Sequence, residues 1–194
     1  MELGRQLDLP TYVSSDAIAA CSAELIYGLG SGLPDFAYLY VDHSLGGGLI
    51  QNGRIRFSRD AAVSGIGKVL VPGQRNKMVP LWTLAGSPEA TFDDQALHLL
   101  ARGIAHAVYS ASAVIGCDVI IIDGSLPPEA RRRLVVSVKT EVARLDPRAA
   151  ANLAIREGTR EHRAAGLGAA CLPLVDRFFP ETAIDPGANI WRAG

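Results

Sequence analysis

No apolar run in this chain reaches the roughly 20 residues that a bilayer-spanning helix needs, which excludes a transmembrane segment of that kind. No apolar core follows Met1 either, because Glu2, Arg5 and Asp8 interrupt the first ten residues, so no secretory leader is expected. Charge of one sign is also missing. With 19 basic and 20 acidic residues, net −1, the chain has no basic excess from which to build a nucleic-acid footprint, and direct DNA binding is not expected. Cysteine is scarce and scattered. Cys21, Cys117 and Cys171 share no ligand spacing and no Cys-x-x-Cys element, so no structural zinc site is expected from them. Each lies in an apolar stretch, which reads as a buried thiol in a reducing, cytoplasmic setting.

What the chain does hold is material for one α/β core: 194 residues, 48 % apolar and 20 % charged, enough for a single lobe. Residues 11–13 read as the end of a strand. Ser14 or Ser15 then caps a helix that runs to about Leu29, with Ala17, Ile18, Cys21 and Leu25 on its inner face. A β-meander follows. Phe36, Tyr38 and Tyr40 alternate with Ala37, Leu39 and Val41 in a strand apolar on both sides, residues 46–50 form a second strand and 54–57 a third. Asn52-Gly53 joins the last two, and both turn residues must accept positive φ.

Residues 59–90 show no period and are read as an irregular excursion with short elements. A long helix is expected over 93–114, because Leu97, Leu100, Ala101, Ile104, Val108 and Ala111 fall three and four apart. Residues 118–123 (DVIIID) have the apolar centre of a parallel strand. Pro127 and Pro128 open a helix ending near Leu145, on which Arg131, Arg132 and Arg133 read as a solvated face. Residues 152–155 are expected to form a strand, and 160–179 a last helix. A three-stranded antiparallel meander followed by βα units in a mixed sheet is the plan of a ribonuclease-H-like lobe, the half-unit of actin-like ATPases and hexokinases.

Five segments, in order, carry a closer resemblance. Residues 38–53 (YLYVDHSLGGGLIQNG) resemble the second phosphate-contacting hairpin of the ROK family of repressors and sugar kinases. Ser15-Asp16-Ala17, with Ala19, Ala20 and Glu24, is similar to that family's Asn-Asp helix start. Residues 61–68 (AAVSGIGK) stand where the family has Gly-x-x-Gly-Glu-Ile-Gly-His, residues 120–126 (IIIDGSL) resemble its nucleotide-side strand and Gly-Gly turn, and residues 166–173 (GLGAACLP) its closing helix. The resemblance covers nearly the whole chain and implies the C-terminal lobe of a ROK protein. On it, residues 1–30 are the end of the preceding lobe and a linking helix, and 59–90 replace the family's zinc loop.

The departures point away from catalysis. Asp16 keeps the position of the family's general base, but as a vestige, and the sugar-binding Asn beside it is Ser15. The Glu and His that grip sugar hydroxyls are Gly65 and Lys68, and two lost charged hydrogen bonds amount to roughly a hundredfold in affinity or more. Lys68 could still serve an anionic ligand. In the phosphate hairpin Gly46 and Gly48 remain, but Asp42, His43 and Ser44 replace the leading Gly-Thr-Gly, and Asp123 replaces the first glycine of the nucleotide-side turn before Gly124. Asp42 would repel a triphosphate. The family's Asp-x-Gly-Gly-Thr loop is not in this sequence, nor is its cysteine-rich zinc loop. The resemblance therefore implies a sugar- or sugar-phosphate-sensing and dimerising module that uses no zinc. ATP and Mg would enter only if a partner lobe completed a sugar kinase. A purely structural interaction protein is the third reading.

Overall fold

The structure, a computed structural model, describes residues 11–56, 65–85, 93–159, 164–178 and 191–193, together with Gln6 and Asp8. Strand β1 (Thr11–Val13) leads to helix α1 (Asp16–Tyr27), whose start is fixed by Ser15: its side-chain oxygen accepts from the Ile18 N–H at 3.3 Å. Strands β2 (Phe36–Val41), β3 (Leu45–Gln51) and β4 (Arg54–Arg56) form the expected meander. Asn52 and Gly53 take φ of 53° and 71°, as a two-residue hairpin requires. Within the excursion, a 3-10 turn (Gly65–Lys68) precedes a hairpin of β5 (Leu70–Pro72) and β6 (Met78–Pro80), and a second 3-10 turn (Leu81–Leu84) follows.

Helix α2 (Asp94–Ile115) is capped by Asp93, which accepts from the Ala96 N–H at 2.8 Å, and stopped by Gly116 in the left-handed region. Next come β7 (Val119–Gly124), α3 (Pro128–Leu145), α4 (Pro147–Asn152), β8 (Ala154–Glu157), α5 (Ala164–Phe178) and β9 (Trp191–Ala193), which pairs with β1. The strand expected at 152–155 begins later than expected. Asp146 caps an extra helical turn, accepting from the Arg148 N–H at 2.8 Å, and Pro147 starts it, so Asn152 is helical. Phe57, residues 61–64, 160–163 and 179 lie outside the described residues.

The main sheet runs β4-β3-β2-β7-β8, antiparallel through the meander and parallel from β2 to β8. Every residue of β2 is buried, and its alternation divides the core in two. Ala37, Leu39 and Val41 face α2, α3 and the excursion, while Phe36, Tyr38 and Tyr40 face α1 and α5. The result is three layers with the sheet in the middle, the mixed α/β lobe that the element order implied.

The reading of Arg131 as solvated is corrected. Arg132 and Arg133 are exposed, but the Arg131 side chain is only 3 % exposed. It falls in register with Leu134, Val135, Val138 and Val142, the stripe that α3 turns to the sheet. All three cysteines are buried and unpaired, as expected.

Candidate functional site

The neighbouring parallel strands β2 and β7 end side by side, with Val41 opposite Gly124. Ligand sites in open α/β sheets gather at such carboxyl ends. Three segments meet there: the β2–β3 turn (Asp42, His43, Ser44), the β7–α3 turn (Ser125) and the N-terminus of α1 (Ser15, Asp16). The Tyr40 and Ser125 hydroxyls bond at 3.1 Å. Burial raises the Tyr40 pKa most; the bond to Ser125 lowers it, and the nearby carboxylates of Asp42, Asp16 and Asp123 raise it again. The Asp16 side chain is exposed and accepts from the Ala17 N–H at 2.7 Å, so the helix start holds it in place. His43 lies beside Asp42, Nδ1 to Oδ1 3.7 Å, and is mostly solvent-exposed.

Gly46 and Gly48 have a packing role. A methyl group on Gly46 would lie 2.5 Å from the Ala17 Cβ, and one on Gly48 2.7 Å from the Cys21 Sγ, so the glycines let α1 lie directly on β3. Gly124 is constrained by close approach as well. Its φ is 145°, and a side chain there would meet the Val41 carbonyl oxygen at 1.9 Å. Gly65 and Lys68 are not brought to the Asp16 helix. Their turn packs through Ile66 and Val69 on the opposite face of the sheet.

The nucleotide-side turn carries a buried polar knot that the sequence reading missed. Asp123 is 0 % exposed. Its carboxylate accepts from the Tyr38 hydroxyl at 3.2 Å and the Gly124 N–H at 2.9 Å, and stands 3.8 Å from Arg131 Nη1. Arg131 Nε donates to Glu157 Oε1 at 2.9 Å. The space beside Asp123 is filled by backbone: a methyl group on Gly158 would lie 2.5 Å from Asp123 Oδ2. One residue on, Thr159 donates its hydroxyl to the buried Glu24 at 3.1 Å, and Glu24 also accepts from the Leu29 N–H at 2.8 Å. The turn is closed by its own side chains. Asp123 occupies it as it stands. The signal for the knot was present in the sequence, in an arginine lying on an apolar stripe.

Burial raises the Asp123 pKa, against the lowering effects of Gly124, Arg131 and Tyr38, with nearby Glu24 adding a smaller rise. A carboxyl held above its unfolded value binds more protons folded than unfolded between the two pKa values. Its contribution to stability therefore falls as pH rises from the ordinary carboxylate range through the raised value. Denaturant melts of wild type and Asp123→Asn across that range should diverge with this sign.

Among the described residues, no three His, Cys, Asp or Glu side chains converge as metal ligands, and no helix is long and apolar enough to cross a membrane. Among the described residues, the donors do not form a zinc site of the family's kind. The buried thiols lie apart, Cys21 against Gly48, Cys117 donating to the Val119 carbonyl at 3.2 Å, and Cys171 donating to the Tyr27 hydroxyl at 3.6 Å. Burial pushes the Cys21 thiol far up, helped by Glu24, so it stays protonated.

Ser15 is in position to cap whether or not it touches a ligand. Ser15→Ala should destabilise the fold by about 1 kcal/mol, and Ser15→Asp by much less, in equilibrium unfolding.

No protein-family profile matches the chain, and no curated protein matches its sequence. Solved structures do. The ROK hexokinase of Thermus thermophilus superposes with TM-score 0.64 at 19 % identity, over 90 % of this chain and 69 % of that one. A ROK-family glucokinase of Streptomyces griseus, solved with glucose and AMPPNP, gives TM-score 0.68 at 18 % identity over 88 % and 70 %. A ROK-family transcriptional regulator, homologous to the E. coli Mlc protein, gives 0.68 at 20 % identity over 87 % of this chain. The chain spans only 53 % of that regulator. These likenesses establish the fold as that of ROK proteins, which the motif resemblance implied, and they include kinases and a regulator alike.

Proposed function

We propose that this chain is a non-catalytic, sugar-sensing and dimerising module of the ROK type, related to the family's regulators. The observation that carries the reading is the burial of Asp123. A kinase needs open, positively disposed backbone at its nucleotide turn, and here a carboxylate fills that turn and is tied to Tyr38 and Arg131. The groups left facing the strand ends, Asp16, Asp42 and Ser125, are carboxylates and a hydroxyl. Such a set suits the hydroxyls of a sugar and disfavours a triphosphate. Ser15 and Asp16 are the proposed ligand contacts; Lys68 lies across the sheet from them and is not in the set. No zinc is part of the reading. The chain acts in the cytoplasm and does not bind DNA by itself.

Titration calorimetry with hexoses and sugar phosphates tests the proposal. Heat with a sugar, reduced at least about tenfold in affinity by Asp16→Asn, supports it. Silence across the panel leaves only a structural role. The second reading, a sugar kinase completed by a partner lobe, is favoured by the exposed Asp16 at a helix N-terminus, where a general base belongs. ADP release that Asp16→Asn abolishes would establish it. Light scattering on an eluting peak checks the homodimer, and a clean monomer would count against it.

A further inference from the structure

Among the described residues, the β5–β6 hairpin presents an exposed apolar face. Leu70 pairs with Pro80 and Pro72 with Met78, so these four side chains share one face, opposite Val71 and Val79. Val71 is fully buried against α2, whereas Leu70 is 60 % and Met78 53 % exposed. Trp82, 41 % exposed, follows two residues after Pro80. The face is rigid. Arg102 of α2 donates from Nη2 to the Gly73 carbonyl at 3.1 Å, Gly73 donates its N–H to the Lys77 carbonyl at 2.8 Å, and Leu81 donates to the Val69 carbonyl at 2.9 Å. Charge frames it from one side only. Arg75 and Lys77 are exposed, and residues 65–85 contain no Asp or Glu, in a chain that holds 20 acidic residues.

We propose that this face docks a protein segment that places acidic residues around apolar ones, so that carboxylates answer Arg75 and Lys77 while apolar side chains cover Leu70, Met78 and Trp82. Complementary rims around an apolar centre are how such contacts gain orientation and rate. A second copy of this chain fits poorly, because it brings the same positive charges and no carboxylate within the patch. A bilayer fits poorly too. The tip that would have to enter lipid, residues 74–77, is polar and charged, and the apolar side chains lie on the flat flank. The proposal does not depend on the sugar reading.

The probes are two labelled peptides, one with Asp and Glu flanking Phe and Leu, the other with Lys at the acidic positions. Fluorescence anisotropy on the full chain should show binding of the acidic peptide only. Leu70→Ser with Met78→Ser should weaken it at least about tenfold, and Arg75→Glu with Lys77→Glu should reverse the preference. All four positions are exposed, so unchanged melting temperatures certify the fold. Binding of neither peptide, equal binding of both, cosedimentation with phosphatidylserine vesicles in their place, or a serine pair that only changes the oligomeric state would each overturn the proposal.

Discussion

Replacing Arg131 by methionine is expected to destabilise the fold by about 3–5 kcal/mol at neutral pH, the range for removing one partner of a buried ion pair. The loss comes from what is left behind. Asp123 is 0 % exposed, and Arg131 is the cation facing it, 3.8 Å away. Tyr38 and the Gly124 N–H still donate to the carboxylate, but hydrogen bonds from neutral groups do not replace a guanidinium. Asp123 has one escape, protonation, and its pKa is already raised by burial. The variant's deficit should therefore shrink as pH falls toward the carboxylate range. If methionine merely packed less well, the deficit would be the same at every pH. The double variant Arg131→Met/Asp123→Asn should recover part of the loss, since the uncompensated charge goes with it. Urea unfolding of the wild type, Arg131→Met, Asp123→Asn and the double variant at two pH values measures all of this.

The same arginine shows how far the sequence could be read. Helices and strands followed from period and punctuation: Ser15, Asn52-Gly53 and Asp93 mark boundaries that local chemistry dictates, and the structure keeps them. Motif spacing carried the lobe assignment, because it reflects the order of glycine turns along the chain. The interior polar knot was not legible from composition. Three successive arginines look solvated, and only the position of Arg131 on the stripe of Leu134 and Val138 shows that it points inward. The phosphate-hairpin glycines illustrate a different limit. Gly46 and Gly48 are needed whether the loop holds phosphate or α1 lies on the strand, and sequence alone does not separate these causes. Residues 61–68 stand in the aligned order, yet the described part of that segment lies across the sheet from Asp16. Spacing fixes sequence order but not which face of a sheet a turn will occupy.

Gly168 and Gly166 offer the sharpest contrast, because one substitution should have opposite signs two residues apart in α5. A methyl group on Gly166 meets nothing within 4 Å, and the residue is exposed, so Gly166→Ala should stabilise by about 0.5–1 kcal/mol through helix propensity and a less flexible unfolded chain. At Gly168 the same methyl falls 1.6 Å from the Ala19 carbonyl oxygen, which is α1 backbone and cannot turn aside. The two helices must part. Overpacking commonly costs about 1–3 kcal/mol, and a clash of backbone with Cβ belongs at or above the top of that range; Gly168→Val should fail to fold. Thermal and denaturant unfolding read both outcomes. The consequence reaches the candidate site, because α1 carries Asp16 at one end, lies directly on Gly46 and Gly48, and packs against α5 on the same face of the sheet. A Gly168→Ala chain that still folds should therefore lose sugar affinity in calorimetry, although residue 168 is a residue of α5 and not of the site. Unchanged affinity in a folded Gly168→Ala chain would mean that the position of α1 does not set the site.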